Sequence, residues 1–238
     1  MRALRTVLVI LLVLAGLFVA ADRIAVNLAE DKVADKLRSG LDVPSSGDAS
    51  VSITGFPFLT QVAGERLEKV EAELSGMTAT AGDRQVRLSK VSMTAHDVDL
   101  ADDYTSGTAE RASGTVHISY DDLSKAADDG VRVSWGGKDA SGRSQVKVTA
   151  GVTLPLVGRT VERSVHSTVS VTGGDTVRLH ADDVPGSKLP GVEETIRKKI
   201  DFQRKIDKLP EGLKLEKVVA DRDGVDLSMS GTDVELTG

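Results

Sequence analysis

The chain of 238 residues contains no cysteine. Disulfide bonds, thiol nucleophiles and cysteine-based zinc sites are therefore excluded. Aromatic residues make up only 3% of the chain, which argues against stacking platforms for sugars or nucleic-acid bases. The net charge is −6, whereas general binding to nucleic acid needs a basic surface. We expect no nucleic-acid partner. The apolar residues are mainly aliphatic, and they could fill a core or line a channel for acyl chains.

Catalytic signatures are missing as well. No HExxH, GxSxG, Walker or Rossmann pattern occurs, and no two histidines stand at metal-ligand spacing. The four histidines are His96, His117, His166 and His180. His117 and His166 lie in strand patterns, where a half-exposed structural histidine is more common than a catalytic one. The sequence predicts that the protein is not an enzyme and uses no cofactor.

Clusters of aspartate raise the alternative of calcium binding. Asp97, Asp99, Asp102 and Asp103 offer the oxygen ligands that Ca²⁺ prefers, but not in the order of an EF-hand loop. Aspartate is common in turns, so we interpret these residues as solvated turn acids and predict no metal site. The same interpretation applies to Asp121/Asp122, Asp182/Asp183 and Asp221/Asp223.

The N-terminus has the order of a bacterial export signal. Arg2 and Arg5 precede an apolar run of 15 residues, Val7–Ala21, which ends in small residues before Asp22. A full bilayer crossing needs about 20 apolar residues. We predict that residues 1–21 are a signal peptide or an uncleaved membrane anchor. Residues 22–238 then form a single domain outside the cytoplasm, in the cell envelope.

Two amphipathic helices are predicted. In the first, which follows Asp22, apolar residues at 25, 26, 29, 33 and 37 recur at three- and four-residue steps. Its polar face carries charges of both signs, which favours packing on a sheet over lying on a membrane. The second predicted helix is 192–206, and Leu209–Gly212 ends it. A short helix is predicted at 121–127, where two aspartates suit the N-terminal dipole.

Between these helices the apolar residues alternate with polar ones, which predicts half-buried strands. Gly136-Gly137 and Gly173-Gly174 are predicted as turns, and 213–236 as a hairpin that turns at 221–224. A long sheet cannot leave its apolar face in water. We therefore predict an α+β fold in which a strongly curved antiparallel sheet encloses the N-terminal and C-terminal helices. The other predicted strands lie near 51–53, 70–74, 86–88, 91–93, 98–100, 116–118, 131–135, 145–154, 160–171 and 176–180.

The segment Gly55–Gln61, with the sequence GFPFLTQ, holds two of the four phenylalanines of the chain. Pro57 excludes a central strand, so the segment bends or lies at an edge. Phe56 and Phe58 could plug the core or form an apolar lip at the entrance of a pocket. The core plug is the more common arrangement for such residues.

The signal, the amphipathic helix and GFPFLTQ followed by Leu67-x-x-Val70 resemble the LmeA-like phospholipid-binding family of bacterial envelope proteins. Leu209-Pro210-x-Gly212-Leu213 and Asp223-Gly224-Val225 resemble that family more weakly. One departure is Asp97-Val98, where the family pattern leads us to expect Gly-Val.

The resemblance implies a tubular lipid-binding fold of the bactericidal/permeability-increasing type, with phospholipid as the ligand and no catalytic residues. The implied lipid-binding residues are Phe56, Phe58, Leu59, Val70 and Leu74. Arg66 or Lys69 is expected near the lipid phosphate. The resemblance also implies contact with a membrane surface and with envelope biosynthetic enzymes, in support of lipoglycan (mannan) elongation. The alternatives are an envelope scaffold that binds a glycosyltransferase and, more remotely, a hydrolase.

Overall fold

The computed structural model describes residues 2–40, 44, 47–81, 84–101, 104, 106–154, 159–183, 201–206 and 209–237. Within them lie one long helix, α1 (Arg2–Gly40), and two short ones, α2 (Phe58–Ala63) and α3 (Tyr120–Ala126). Ser119 caps α3, since its side chain accepts a hydrogen bond from the Asp122 amide. The short helix expected at 121–127 is therefore confirmed, one residue earlier.

Most of the remaining described residues form strands. These are β1 (Ala49–Thr54), β2 (Arg66–Ser75), β3 (Thr78–Ala81), β4 (Arg84–Arg87), β5 (Lys90–Leu100), β6 (Ser106–Ser119), β7 (Val131–Lys138), β8 (Ser144–Leu154), β9 (Arg159–Thr172), β10 (Thr176–Asp183), β11 (Phe202–Lys205), β12 (Leu213–Ala220) and β13 (Gly224–Thr237).

The strands form two large antiparallel sheets. The six-stranded sheet has the order β1-β2-β5-β6-β13-β12, and the five-stranded sheet has the order β11-β10-β9-β8-β7. β3 and β4 pair separately as a short ribbon. The α+β prediction is confirmed, and in the described part of the chain the six-stranded sheet is not closed into a barrel.

The C-terminal half of α1 packs beside β1, as the amphipathic pattern predicts. Val26 is 4% exposed. A Glu30 carboxylate oxygen accepts the Ile53 amide at 2.7 Å, and Arg38 donates to Asp48 at 3.0 Å. The helix therefore runs antiparallel to β1, and its apolar stripe faces the core.

The predicted second helix, 192–206, is wrong where the structure can be compared with it. Phe202–Lys205 form β11, which pairs with β10, while residues 192–200 lie outside the described residues. The Ile206 amide donates to the Asp175 carbonyl oxygen at 2.7 Å and Ile206 packs against the core between the two sheets. Pairing along a sheet edge satisfies the backbone here, which helical spacing alone does not reveal.

The turn predicted at Gly136-Gly137 is also wrong. Both glycines lie within β7, at a register shift between Trp135 and Gly137 opposite β8. A Cβ at Gly136 would lie 2.7 Å from the Val146 carbonyl carbon, so this glycine permits close approach of the two strands. The chain instead turns after Asp139, whose carboxylate accepts two downstream amides. The turn predicted at Gly173-Gly174 is confirmed.

A line of interrupted pairing crosses the six-stranded sheet. Glu68, Asp97, Glu110 and Asp233 occupy neighbouring strands, and each lacks the cross-strand pairing that the residues on either side of it have. Asp97 and Asp233 both have φ 52°, in the left-handed region. We call this line the transverse break. Asp97 is the position where the resemblance led us to expect glycine, and aspartate adopts this conformation more readily than most residues.

Because of the transverse break, the residues before it and the residues after it along each strand place their apolar side chains on the same face of the sheet. Buried residues stand two apart along an uninterrupted strand, but Val98 and Ala95 of β5 are three apart across the break, as are Ala109 and Ala112 of β6. All four side chains are buried in the same cluster as Val26 of α1. The break therefore lets the sheet bend without turning its apolar residues outward.

Two large cores result from this packing. The helix-side core lies between α1 and the six-stranded sheet, and contains Val26, Ile53, Phe58, Leu67, Ala95, Val98, Ala109, Ala112, Leu213 and Val234. The inter-sheet core joins the two large sheets, and contains Val146, Val148, Val165, Leu179, Ala181, Leu215, Ala220, Val225 and Leu227.

Candidate functional site

The segment Gly55–Gln61, which we call the elbow, forms the first part of the connection from β1 to β2 and contains the first turn of α2. Pro57 occupies the N-cap position of α2, and the peptide bond before it is cis. The Thr60 hydroxyl donates to the Pro57 carbonyl oxygen at 2.8 Å. The chain thus bends at the edge of the sheet, as Pro57 predicts.

Gln61 holds the elbow closed. Its Oε1 accepts a hydrogen bond from the Glu68 amide at 2.8 Å. Glu68 is one of the residues of the transverse break. A Cβ at Gly55 would lie 2.4 Å from Gln61 Nε2, and Gly55 has φ 117°. Only glycine fits this position without displacing the Gln61 side chain. Gln61 Nε2 is buried and has no hydrogen-bond partner among the described residues.

The two phenylalanines of the elbow differ: one is buried as a core plug, and the other is exposed, as an apolar lip would be. Phe58 is 7% exposed and belongs to the helix-side core, so it is a core plug. Phe56 is 60% exposed and Leu59 is 36% exposed. The elbow therefore has one buried aromatic and an exposed apolar pair beside it.

Asp22 fastens the elbow to α1. Its side chain is fully buried, one carboxylate oxygen accepts the Leu59 amide at 2.8 Å, and the other accepts Arg23 at 2.6 Å. The Arg23 guanidinium lies 5.2 Å from the centre of the Phe56 ring, within cation–π range. Burial pushes the pKa of Asp22 upward, but the hydrogen bonds from Leu59 and Arg23 outweigh it and the pKa is lowered.

Sequence reasoning missed this role of Asp22. The one available signal was a carboxylate placed directly after an apolar run, at a point where the helix continues without interruption. A charge in that position needs a partner if it is buried. The partner, Leu59, is 37 residues away, so spacing along the chain could not identify it.

Val70 and Leu74 lie on the apolar face of β2. Val70 pairs with Ile53 and is half-buried, while Leu74 pairs with Ala49 and is 3% exposed. Leu74 forms a small third cluster with Ala49 and Val91, against which Leu37 of α1 packs. The five implied lipid-binding residues therefore share one side of the molecule, beside α1, but they do not converge on a single cluster.

The basic residues expected near a phosphate are already paired. Arg66 contacts the carboxylates of Asp99 at 3.0 Å, Glu110 at 3.1 Å and Asp97 at 3.5 Å. The Asp99 charge, together with Asp97 and Glu110, raises the pKa of Arg66. Lys69 pairs with Glu71 at 2.8 Å. A role of Arg66 or Lys69 at a lipid phosphate stays a prediction.

Two of the aspartates considered for calcium, Asp97 and Asp99, take part in these ion pairs. Arg111 approaches Asp97 at 2.8 Å in addition to Arg66. The described residues contain no group of three or more histidine, aspartate or glutamate side chains that could hold a metal ion, and Asp102 and Asp103 lie outside them. The strand positions of His117 and His166 are confirmed, and His117 Nδ1 lies 2.7 Å from Asp226.

The N-terminal half of α1 stands clear of both sheets. All side chains from 2 to 21 are exposed. By length and composition α1 could cross a membrane, a property that signal sequences share. The apolar half and the packed half form one continuous helix, and Asp22 marks the boundary between them.

The structure thus combines an antiparallel sheet that has one apolar face, an amphipathic helix beside that face, and an apolar N-terminal segment that is compatible with a signal or an anchor. The chain belongs to the LmeA-like phospholipid-binding family, whose model matches residues 20–230. Membership in this family indicates lipid binding, and the family is non-catalytic and associated with the cell envelope. No curated protein and no solved structure matches the chain.

Proposed function

We propose that the protein is an exported envelope protein that holds the acyl chains of a phospholipid beside α1, against the half-buried part of the apolar face of the six-stranded sheet. Family membership carries this proposal. Val70 and Leu74 form part of the wall, Phe58 closes one end, and the exposed pair Phe56 and Leu59 stands at the entrance. The protein holds or transfers lipid and performs no chemistry on it.

The wall residues support binding through apolar contact alone. Each buried methylene contributes about 0.8 kcal/mol, so ten methylenes contribute roughly 8 kcal/mol before ordering costs. Half-buried apolar side chains border the buried residues of this face, among them Val70, Met93 and Met229. Methionine side chains adapt to irregular apolar ligands. Specific polar contacts to the headgroup are not needed for useful affinity.

The proposal includes retention of residues 1–21 as a membrane anchor. Cleavage after Ala21 would place a new ammonium group on Asp22, at the N-terminal end of the packed half of α1. A positive charge is unfavourable at a helix N-terminus, and Asp22 is fully buried there. The uninterrupted helix therefore supports an uncleaved anchor that holds the domain at the outer face of the cytoplasmic membrane.

The destination of the lipid is part of the same proposal. By the resemblance to the best-known family members, the lipid supports envelope lipoglycan (mannan) synthesis, and the protein partners are envelope biosynthetic enzymes.

The test is the lipid content of the full chain purified in detergent from a bacterial membrane. Native mass spectrometry is expected to show phospholipid at defined stoichiometry on a chain that retains residues 2–21. Val70→Gln places an amide in the wall and is expected to lower the retained lipid several-fold. Glu73→Gln changes the same strand on its opposite, exposed face and is expected to retain lipid as the wild type does.

A chain without lipid that also takes none from added liposomes would contradict the proposal. The envelope scaffold would then be favoured, and capture of a glycosyltransferase would be the next measurement. A mass that begins at Asp22 would contradict anchor retention and leave lipid binding intact.

A further inference from the structure

Exposed large apolar side chains outside α1 are few, and they are not scattered. In the described part of the chain they are Phe56, Leu59 and Tyr104. Phe56 and Leu59 belong to the elbow, and Tyr104 lies between β5 and β6, where its exposed fraction is 53%. We call these three residues the anchor-end patch.

Tyr104 lies at the same end of the six-stranded sheet as the elbow. The Leu100 amide, at the end of β5, donates to the Glu65 carbonyl oxygen at 2.8 Å. Glu65 is the second residue after α2, and α2 follows Pro57. The connection from β5 to β6, which carries Tyr104, therefore begins beside the C-terminal end of α2.

This end of the sheet is also where α1 leaves the domain. The Leu59 amide is bonded to Asp22, and Arg23 lies over the Phe56 ring. Residues 2–21 extend from that point with every side chain exposed. Their apolar run, Val7–Ala21, spans about 22 Å at 1.5 Å per residue. Arg2 and Arg5 before it can extend to the headgroups of the opposite leaflet, so the helix can still cross a hydrocarbon core of about 30 Å. With this helix in a membrane, Asp22 and Arg23 lie at its interface with water.

We infer that the anchor-end patch inserts into the outer leaflet interface of the membrane that holds α1. Its chemistry fits that position: tyrosine is enriched at the headgroup level, phenylalanine and leucine enter the boundary between headgroups and acyl chains, and an exposed apolar patch marks a contact surface. Arg23, half-exposed and already paired with Asp22, stands at the depth where arginine meets lipid phosphates. The proposed entrance for lipid then opens inside the leaflet, so acyl chains reach the sheet without crossing water.

The inference rests on the proposed function only for the direction of lipid movement. Insertion itself depends on the anchor and the three side chains. The two ideas can therefore be tested separately on one preparation, the full chain in liposomes of phosphatidylcholine and phosphatidylglycerol.

The absence of cysteine allows single labels without removing any native thiol. Phe56→Cys, Leu59→Cys and Tyr104→Cys would each carry an environment-sensitive fluorophore. Ser50→Cys and Ser141→Cys are matched controls, since both serines are exposed and lie away from the elbow, in β1 and in the β7–β8 turn. At the three patch positions we expect the emission to be blue-shifted. We also expect lipid-borne quenchers to remove most of the fluorescence intensity there. The controls are expected to be quenched only by a water-soluble quencher.

The inference would be overturned if the labels at 56, 59 and 104 responded as the two controls do. This holds even if the same protein has phospholipid bound. Lipid-quenched labels on a protein that retains no phospholipid would support the inference and contradict the proposed function. Unfolding midpoints of the labelled variants show whether each one is folded, and Leu59→Cys keeps the backbone amide that bonds Asp22.

Discussion

At the scale of single residues, the elbow contains some residues that hold its structure together and one aromatic side chain, Phe56, that is mostly exposed. Gly55 makes room for Gln61, Gln61 bonds the Glu68 amide, and Phe58 fills the helix-side core. Phe56 lies beside Arg23, is 60% exposed and belongs to none of the three apolar clusters of the described residues. We therefore assign its exposed surface to contact with lipid.

This division predicts opposite outcomes for two substitutions two residues apart. Phe58→Ala empties a buried site and is expected to lower the free energy of unfolding by about 3–5 kcal/mol. Phe56→Ala is expected to change it by less than about 0.5 kcal/mol, since its ring is exposed. Urea unfolding of the full chain in detergent measures both. A large loss of stability in Phe56→Ala would show that this ring is structural and would contradict its place in the anchor-end patch.

At the scale of elements, sequence patterns succeeded where the spacing is local. The packed half of α1 and the β12–β13 hairpin follow from three-to-four-residue and two-residue periods, and both are present. The strand β11 and the bulge at Gly136 were missed because both depend on a partner strand. The transverse break was missed for the same reason. Nothing in the sequence around Asp97 indicates a break, because the break is defined by the missing pairing with the neighbouring strands.

The contact of α3 with the β12–β13 turn predicts a pH dependence. The Tyr120 hydroxyl donates to the Asp221 carbonyl oxygen at 2.6 Å. Burial, and then the carboxylates of Asp221, Asp223 and Asp226, raise the pKa of Tyr120 from 10.0 to about 12. The neutral phenol therefore stabilises the fold fully below about pH 10, and this contribution is lost as the pH rises toward 12.

Denaturant unfolding between pH 7 and 12 measures this contribution. Tyr120→Phe is expected to be less stable at pH 7 by about 0.5–1.5 kcal/mol, the value of one hydrogen bond, and to approach the wild type above pH 11. Tyr104→Phe serves as the control, because Tyr104 is exposed and its replacement should leave the profile unchanged. A constant difference between Tyr120→Phe and wild type over the whole range would contradict the assignment.

At the scale of the whole molecule, the two large sheets share one core. The inter-sheet core takes Val146 and Val165 from the five-stranded sheet and Val225 and Leu227 from the six-stranded sheet. The Leu215 amide also donates to the Gly174 carbonyl oxygen at 2.7 Å, which joins β12 to the β9–β10 turn. Neither sheet can separate without exposing apolar residues of both, which favours the single domain predicted for residues 22–238.

A single domain predicts one unfolding transition seen from both sheets. Trp135, the one tryptophan of the chain, lies in β7 and reports on the five-stranded sheet, and a label at Ser50→Cys in β1 reports on the six-stranded sheet. Val165 is 1% exposed, so Val165→Ala is expected to lower stability by about 1–3 kcal/mol. Both probes should then move to lower denaturant by the same amount, because the cavity opens in the core that both sheets bury. If the Trp135 transition moved alone, the two sheets would be separate folding units. A lipid held beside α1 would then stabilise only the six-stranded sheet, because that sheet lines the proposed lipid site.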